Sequence, residues 1–287
     1  MHRVLLSVFL IVIFSVCTYA SAIVPGFNTT TDGRNDDGTW TSPAGCTNPA
    51  SGGSCPGTAI PLGMTLNFLG VSFSQLYVNT NGNITFDAPL STFTPFGLTA
   101  TAREIIAPFF ADVDTRNPAS GLVSYGTGSF GGHNAFGVNW LNVGYFNSHV
   151  DQTNSFQLLL VDRTDTGVGN FDMVFNYDNI SWETGDASGG SGGLGGNSAR
   201  VGFSNGSGAS GTSFELPGSD VDGAFLNGGP NGLATHSANS NVLGQYIFEA
   251  RNGTVATTVP EPNGAELLGT GLLAVAFLIR KFRSNHG

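Results

Sequence analysis

Residues 105–116 read Ile-Ile-Ala-Pro-Phe-Phe-Ala-Asp-Val-Asp-Thr-Arg. The segment opens as a continuous apolar run of strand length, the pattern of an element covered on both faces. It closes on Asp112 and Asp114. On an extended backbone, residues two apart share a face, so the spacing predicts two carboxylates pointing the same way at a sheet end. A strand buried on both sides needs a layer on each, and the flanking segments read as strands that supply them.

The rest of the composition agrees. Gly accounts for 42 of 287 residues, about twice its usual ~7%, and charged residues are 10% against a usual ~25%. That balance suits many short strands joined by tight turns. Formal charge is −10, and the only lysine is Lys281. A basic footprint is therefore missing, which excludes nucleic acid as a partner.

Strand signals run from residue 64 to residue 250. Asn81-Gly82 separates Leu76-Tyr77-Val78 from Ile84-Thr85-Phe86, a hairpin signature. Phe136, Val138 and Trp140 alternate on one face, and Phe156 to Val161 is nearly all apolar. Phe171, Met173, Phe175 and Tyr177 keep the period of a half-buried strand. Arg200 to Phe203 and Tyr246 to Phe248 add short strands, and no window shows a helical period. The expected fold is all-β, an antiparallel β-sandwich-like domain over 64–250. The run of Gly and Ser between Gly185 and Gly196 reads as a flexible surface loop.

The two ends differ from this body. Residues 1–22 read as a secretory signal peptide, with Arg3, an apolar stretch from Val4 to Val16 and a small-residue cleavage site near Ala20 or Ala22. Residues 23–63 are rich in Gly, Pro, Asn, Ser and Thr without periodicity. They contain Cys46 and Cys55, the only cysteines left after signal removal, which are expected to close a disulfide loop. Residues 251–263 form a linker ending in Pro260-Glu261-Pro262. An apolar segment, 264–279, then reads as a short transmembrane helix, and a basic tail, 280–287, follows with Arg280, Lys281 and Arg283. Such a tail holds the extreme C-terminus in the cytoplasm.

Pro260-Glu261-Pro262, the short apolar helix and the Arg-rich end resemble, in order, the PEP-CTERM sorting signal of bacterial envelope proteins. That resemblance implies an exosortase-type processing enzyme as partner, at least transient membrane anchoring, and a surface or biofilm-matrix destination. Residues 64–250 are similar to the NIDO extracellular domain family. The resemblance rests on residues 77–86 and 105–116, the Gly121–Tyr125 strand and Phe136–Trp140. Asn142-Val143, Asn154–Gln157, Phe175–Tyr177, Trp182 and Gly202-Phe203 continue it in order. It implies adhesion and matrix association, with extracellular polysaccharide or matrix proteins as partners and no catalytic residues to carry over.

Residues that could carry other chemistry are sparse. Gly189–Gly193 fits G-x-S-x-G formally, and Gly126, Gly128 and Gly131 fit G-x-G-x-x-G. Neither has the strand–turn–helix context those motifs need. The five histidines are scattered. Asp112 and Asp114 form the candidate site: oxygen donors suited to Ca2+ or a partner-binding rim, or acids that fix turns and pair with Arg103 or Arg116. A Ca2+-dependent carbohydrate-binding module for exopolysaccharide is the competing reading. It would place Tyr145, Trp140 and Trp182 beside these acids, although Trp on a strand is more often core. A hydrolase using the acid pair is a weaker third, with no pocket signal.

Overall fold

The computed structural model describes residues 21–38 and 59–257. The signal segment up to residue 20, Cys46 and Cys55, Pro260-Glu261-Pro262, the 264–279 apolar segment and Arg280, Lys281 and Arg283 lie outside the described residues. Among the described residues no helix is long and apolar enough to cross a membrane. Helical geometry there is confined to 3-10 turns at Leu98–Ala100 and Asp186–Ser188.

Two antiparallel sheets face each other. One contains β1 (Thr30–Thr31), β7 (Val123–Phe130), β8 (His133–Tyr145), β9 (His149–Asp162), β10 (Phe171–Asn179), β13 (Gln245–Arg251) and β14 (Thr254–Val255) in that spatial order. The short β6 (Val113–Asp114) pairs on the far part of β8. The other sheet runs β12 (Ser213–Glu215), β11 (Arg200–Asn205), β5 (Glu104–Phe110), β4 (Asn83–Thr85), β3 (Val71–Asn79), β2 (Ile60–Phe68). The body therefore begins at Ile60, a few residues before the expected start.

The inner faces meet through aromatic side chains. Phe109 on β5 lies 5.2 Å from Phe156 on β9 and 5.8 Å from Trp182, and Trp140 stacks on Phe156 at 5.1 Å. The Tyr177 hydroxyl donates to the Pro108 carbonyl at 2.6 Å, a buried polar tie between the layers. As expected of the apolar run, Ile105–Phe110 is buried throughout. Its outward residues Ile105, Ala107 and Phe110 are covered by Leu90, Phe96 and Leu98 from the loop that precedes the strand. The Asn81-Gly82 hairpin also forms, pairing Tyr77 with Thr85 and Val78 with Ile84.

Three expectations change. The N-terminal segment is part of the domain: Phe27 is 1% exposed and packs with Ala135, Leu159, Val161 and Val174 on the outer face of the first sheet. This cover also makes β10 buried on both faces through Tyr177, instead of half-buried. Glycines give Phe27 its seat. A Cβ on Gly137 would fall 2.5 Å from the Phe27 ring, and one on Gly128 2.8 Å from it. The formal nucleotide-loop glycine Gly128 is thus a packing position on a strand. Finally, the Gly/Ser run is a fixed loop. The Gly193 carbonyl accepts from the Glu183 and Thr184 amides at 2.8 and 3.0 Å, and the Asn197 amide donates to Ser188 at 3.0 Å.

Candidate functional site

Between Phe110 and Val113 the chain leaves one sheet and enters the other, where Val113 pairs with Tyr145 and Asp114 with Gly144. Asp112 sits in that crossing. The backbone is not one continuous strand there, so the two acids do not have equivalent surroundings. Asp114 is saturated. Its carboxylate takes Nε and Nη2 of Arg116, the latter at 2.6 Å, together with the Arg116 and Ser148 amides at 2.8 Å each. Asp112 is 1% exposed, and neither of its oxygens has a hydrogen-bond donor. The nearby Ser188 hydroxyl partly offsets the burial of this carboxylate but makes its hydrogen bonds to Thr94 Oγ1 and, at 3.5 Å, the Phe93 carbonyl. Gly185 closes over this carboxylate so tightly that a Cβ would fall 2.5 Å from Oδ2. Arg103, the other expected partner, pairs with Asp87 at 3.3 Å.

What Asp112 meets comes from the N-terminal segment. Oxygens of Asp36, Asp37 and Asp112 all lie within 4.8 Å of one another, and all three residues are buried. Two anchors place Asp36 and Asp37. Before them, Arg34 donates to the carbonyls of Thr115, Asn117, Pro118 and Ser120 at 2.7–3.0 Å, and Asn35 exchanges backbone and hydroxyl bonds with Thr115. After them, the Gly38 carbonyl accepts from the Thr80 amide and hydroxyl. Thr80 and Asn81 belong to the β3–β4 turn. The Asn81 side chain donates to Asp37 Oδ1 at 3.0 Å and accepts from the Val113 amide at 2.9 Å. One asparagine thus bonds to both sides of the cluster.

The electrostatics are unbalanced. Four carboxylates (Asp36, Asp37, Asp112, Asp114) share one guanidinium, Arg116, whose Nη2 is 2.6 Å from Asp114 and 3.1 Å from Asp36. Among the described residues Asp36 Oδ1 has no partner, and Oδ2 has only this arginine. Burial first, then repulsion from Asp37 and Asp114, pushes Asp36 from 3.8 up to about 7. Burial first, then Asp37, Asp36 and Asp114, pushes Asp112 up to about 8. Asp37 is raised too, chiefly by burial, with the Asn81 bond opposing. Repulsion and desolvation of this kind favour neutralisation by a proton or a cation.

The donor set is oxygen only, which suits a hard cation and not zinc. It does not suit a glycosidase, whose two carboxyls flank a cleft and stand at least about 5 Å apart. The aromatics that the carbohydrate-binding reading would use are not presented for stacking. Trp140, Trp182 and Tyr145 are fully buried, with indole N–H groups committed to the Thr80 and Val143 carbonyls. The structure therefore joins Asp112 to Asp36 and Asp37 and ties Asp114 to Arg116. Sequence reasoning passed over Asp36-Asp37. The available signal was that these are the only directly adjacent acids in the chain, set between Asn35 and Gly38.

The nidogen-like domain model matches residues 74–132 and 126–252. Alpha-tectorin of Mus musculus is 36% identical over 214 residues, covering 66% of this chain and 9% of that protein. Alpha-tectorin of Gallus gallus is 35% identical over 214 residues with the same coverage. Nidogen of Drosophila melanogaster is 29% identical over 234 residues, covering 73% of this chain and 16% of that protein. The chain thus matches only a small part of the length of these relatives. No solved structure matches significantly. Asp112 and Asp114 fall inside the family span, while Asp36 and Asp37 precede it.

Proposed function

The chain belongs to the nidogen-like domain family, and from that premise we propose that it is a non-enzymatic extracellular domain acting by association with matrix components. The finer reading is an exported bacterial surface protein with an adhesive or biofilm-matrix role, addressed by its PEP-CTERM-like tail and handled by an exosortase-type enzyme. The observation that carries the proposal is the family match over both sheets, 74–252. Burial of Trp140, Trp182 and Tyr145 weighs against the carbohydrate-binding alternative, because sugar stacking needs exposed ring faces.

The test is solid-phase binding of the full exported protein to matrix isolated from its host. Saturable binding that protease treatment of the matrix abolishes, and polysaccharide digestion leaves intact, supports a protein partner. Binding that follows the polysaccharide and tracks a glycan-array signal would transfer the reading to the lectin class. No binding to either fraction would refute matrix association.

A further inference from the structure

We propose that Asp36, Asp37 and Asp112 form a Ca2+ site that fastens the N-terminal segment to the crossing between the two sheets. Two independent features meet there. Three carboxylates from segments 75 residues apart in sequence (Asp37 to Asp112) place oxygens within 4.8 Å of one another. Separately, both oxygens of Asp112, at 1% exposure, and Oδ1 of Asp36, at 2%, lack a hydrogen-bond donor among the described residues, while Asp36 Oδ2 faces only Arg116 Nη2 at 3.1 Å. Buried polar groups are almost always partnered, and each exception asks for an explanation. Asp87 and Asp165 show what the alternative looks like in this chain: each faces an arginine, whereas Asp112 pairs with none among the described residues.

Size and chemistry select the ion. Ca2+ holds oxygens at about 2.3–2.6 Å, so ligands across its sphere stand up to about 5 Å apart, which accommodates oxygens lying within 4.8 Å of one another. Mg2+ binds at about 2.0–2.1 Å and keeps several waters, which suits three buried carboxylates less well. Asp112 is free to bind through both oxygens, Asp36 through the Oδ1 that Arg116 does not face, and Asp37 through the one not held by Asn81. With Arg116 already spanning Asp114 and Asp36, a divalent ion brings four negative charges against one positive close to balance. The site is a property of the fold, so it stands or falls separately from matrix association.

Metal content of the full exported protein, dialysed against Ca2+ and then against metal-free buffer, is the first measurement. Calorimetric titration with Ca2+ alone and a thermal melt with and without chelator follow. The expected result is one Ca2+ per chain, a dissociation constant below about 1 mM, and a melting temperature that rises with Ca2+. Asp36→Asn and Asp112→Asn should each weaken binding at least tenfold, while Asp87→Asn leaves it unchanged. Hydrogen exchange over residues 21–38 should slow on Ca2+ addition. If a variant fails to fold, Asp37→Asn and the wild-type stoichiometry decide the question. Absence of Ca2+ binding at 10 mM (about tenfold above the weakest extracellular sites), or binding unaltered in all three variants, would overturn the site. A cluster neutralised by protons would give the first of these outcomes.

Discussion

Gly82→Ala should be among the most damaging single-methyl changes in the chain. Gly82 has φ +71, and a Cβ there would lie 1.7 Å from the Phe109 carbonyl oxygen and 3.2 Å from Phe156 Cζ. An alanine at that φ costs about 1 kcal/mol before any clash. Relieving the clash needs a displacement of roughly 1.5 Å to reach ordinary C···O separation of about 3.3 Å. A movement of that size breaks the Phe109 amide bond to Gly82 and strains the Ala111 amide bond to Asn81. Each buried group left unpaired costs about 1–3 kcal/mol, so the total is about 3–5 kcal/mol, a large share of ordinary domain stability. Urea unfolding followed by fluorescence of the buried Trp140 and Trp182 measures it. Gly63→Ala is the internal control, since Gly63 has φ +75 and an added methyl there would meet nothing within 4 Å. It should cost only about 1 kcal/mol. Equal losses for the two variants would refute the steric argument.

The remaining expectations test other parts of the chain. Phe27→Ala should cost about 3–5 kcal/mol and expose residues 21–38 to limited proteolysis; an unchanged cleavage pattern would show that the segment is held without this ring. Glu183 accepts from the Phe225 and Gly223 amides and the Ser198 hydroxyl, yet burial, its largest influence, raises its pKa above 4.5. A raised folded pKa means stability fully present below the unfolded value and lost as pH rises through the folded one. The melting temperature of wild type relative to Glu183→Gln should therefore fall as pH rises from about 4.5, and parallel profiles would remove Glu183 from the pH dependence. Cys46 and Cys55 should give no free thiol in the unfolded, unreduced mature protein, the loop contributing roughly 2–3 kcal/mol; two titratable thiols would end that proposal. Mass spectrometry of surface-extracted protein should find a C-terminus near Pro260–Pro262, whereas intact chains ending at Gly287 would favour a permanent anchor.

Local periodicity made several elements legible. The Ile105–Phe110 run, the Asn81-Gly82 hairpin and the inward set Phe171, Met173, Phe175 and Tyr177 follow from strand geometry and turn chemistry within a few residues. Their alternation also implied two layers, because a sheet with an apolar face must bury it. The order of the Gly/Ser loop was not legible in this way. Its bonds depend on where Glu183, Thr184 and Ser188 are held, and composition alone carries no such information.

The amino-acid sequence by itself determined the all-β class, the buried central strand and the concentration of acid at its end. These follow from the period of side-chain placement along an extended backbone. Only the tertiary structure decided which acids meet. The chain changes sheets at Ala111-Asp112, so the two-residue spacing that would align Asp112 with Asp114 does not hold, and Arg116 takes Asp114 alone at full contact. Asp36 and Asp37 reach Asp112 because Arg34 and Asn35 bond to residues 115–120 and Phe27 seats on glycines of the opposite segment, contacts roughly a hundred residues apart. An irregular segment leaves no periodic trace of where it docks, since its position is set by distant partners and not by its neighbours in the chain.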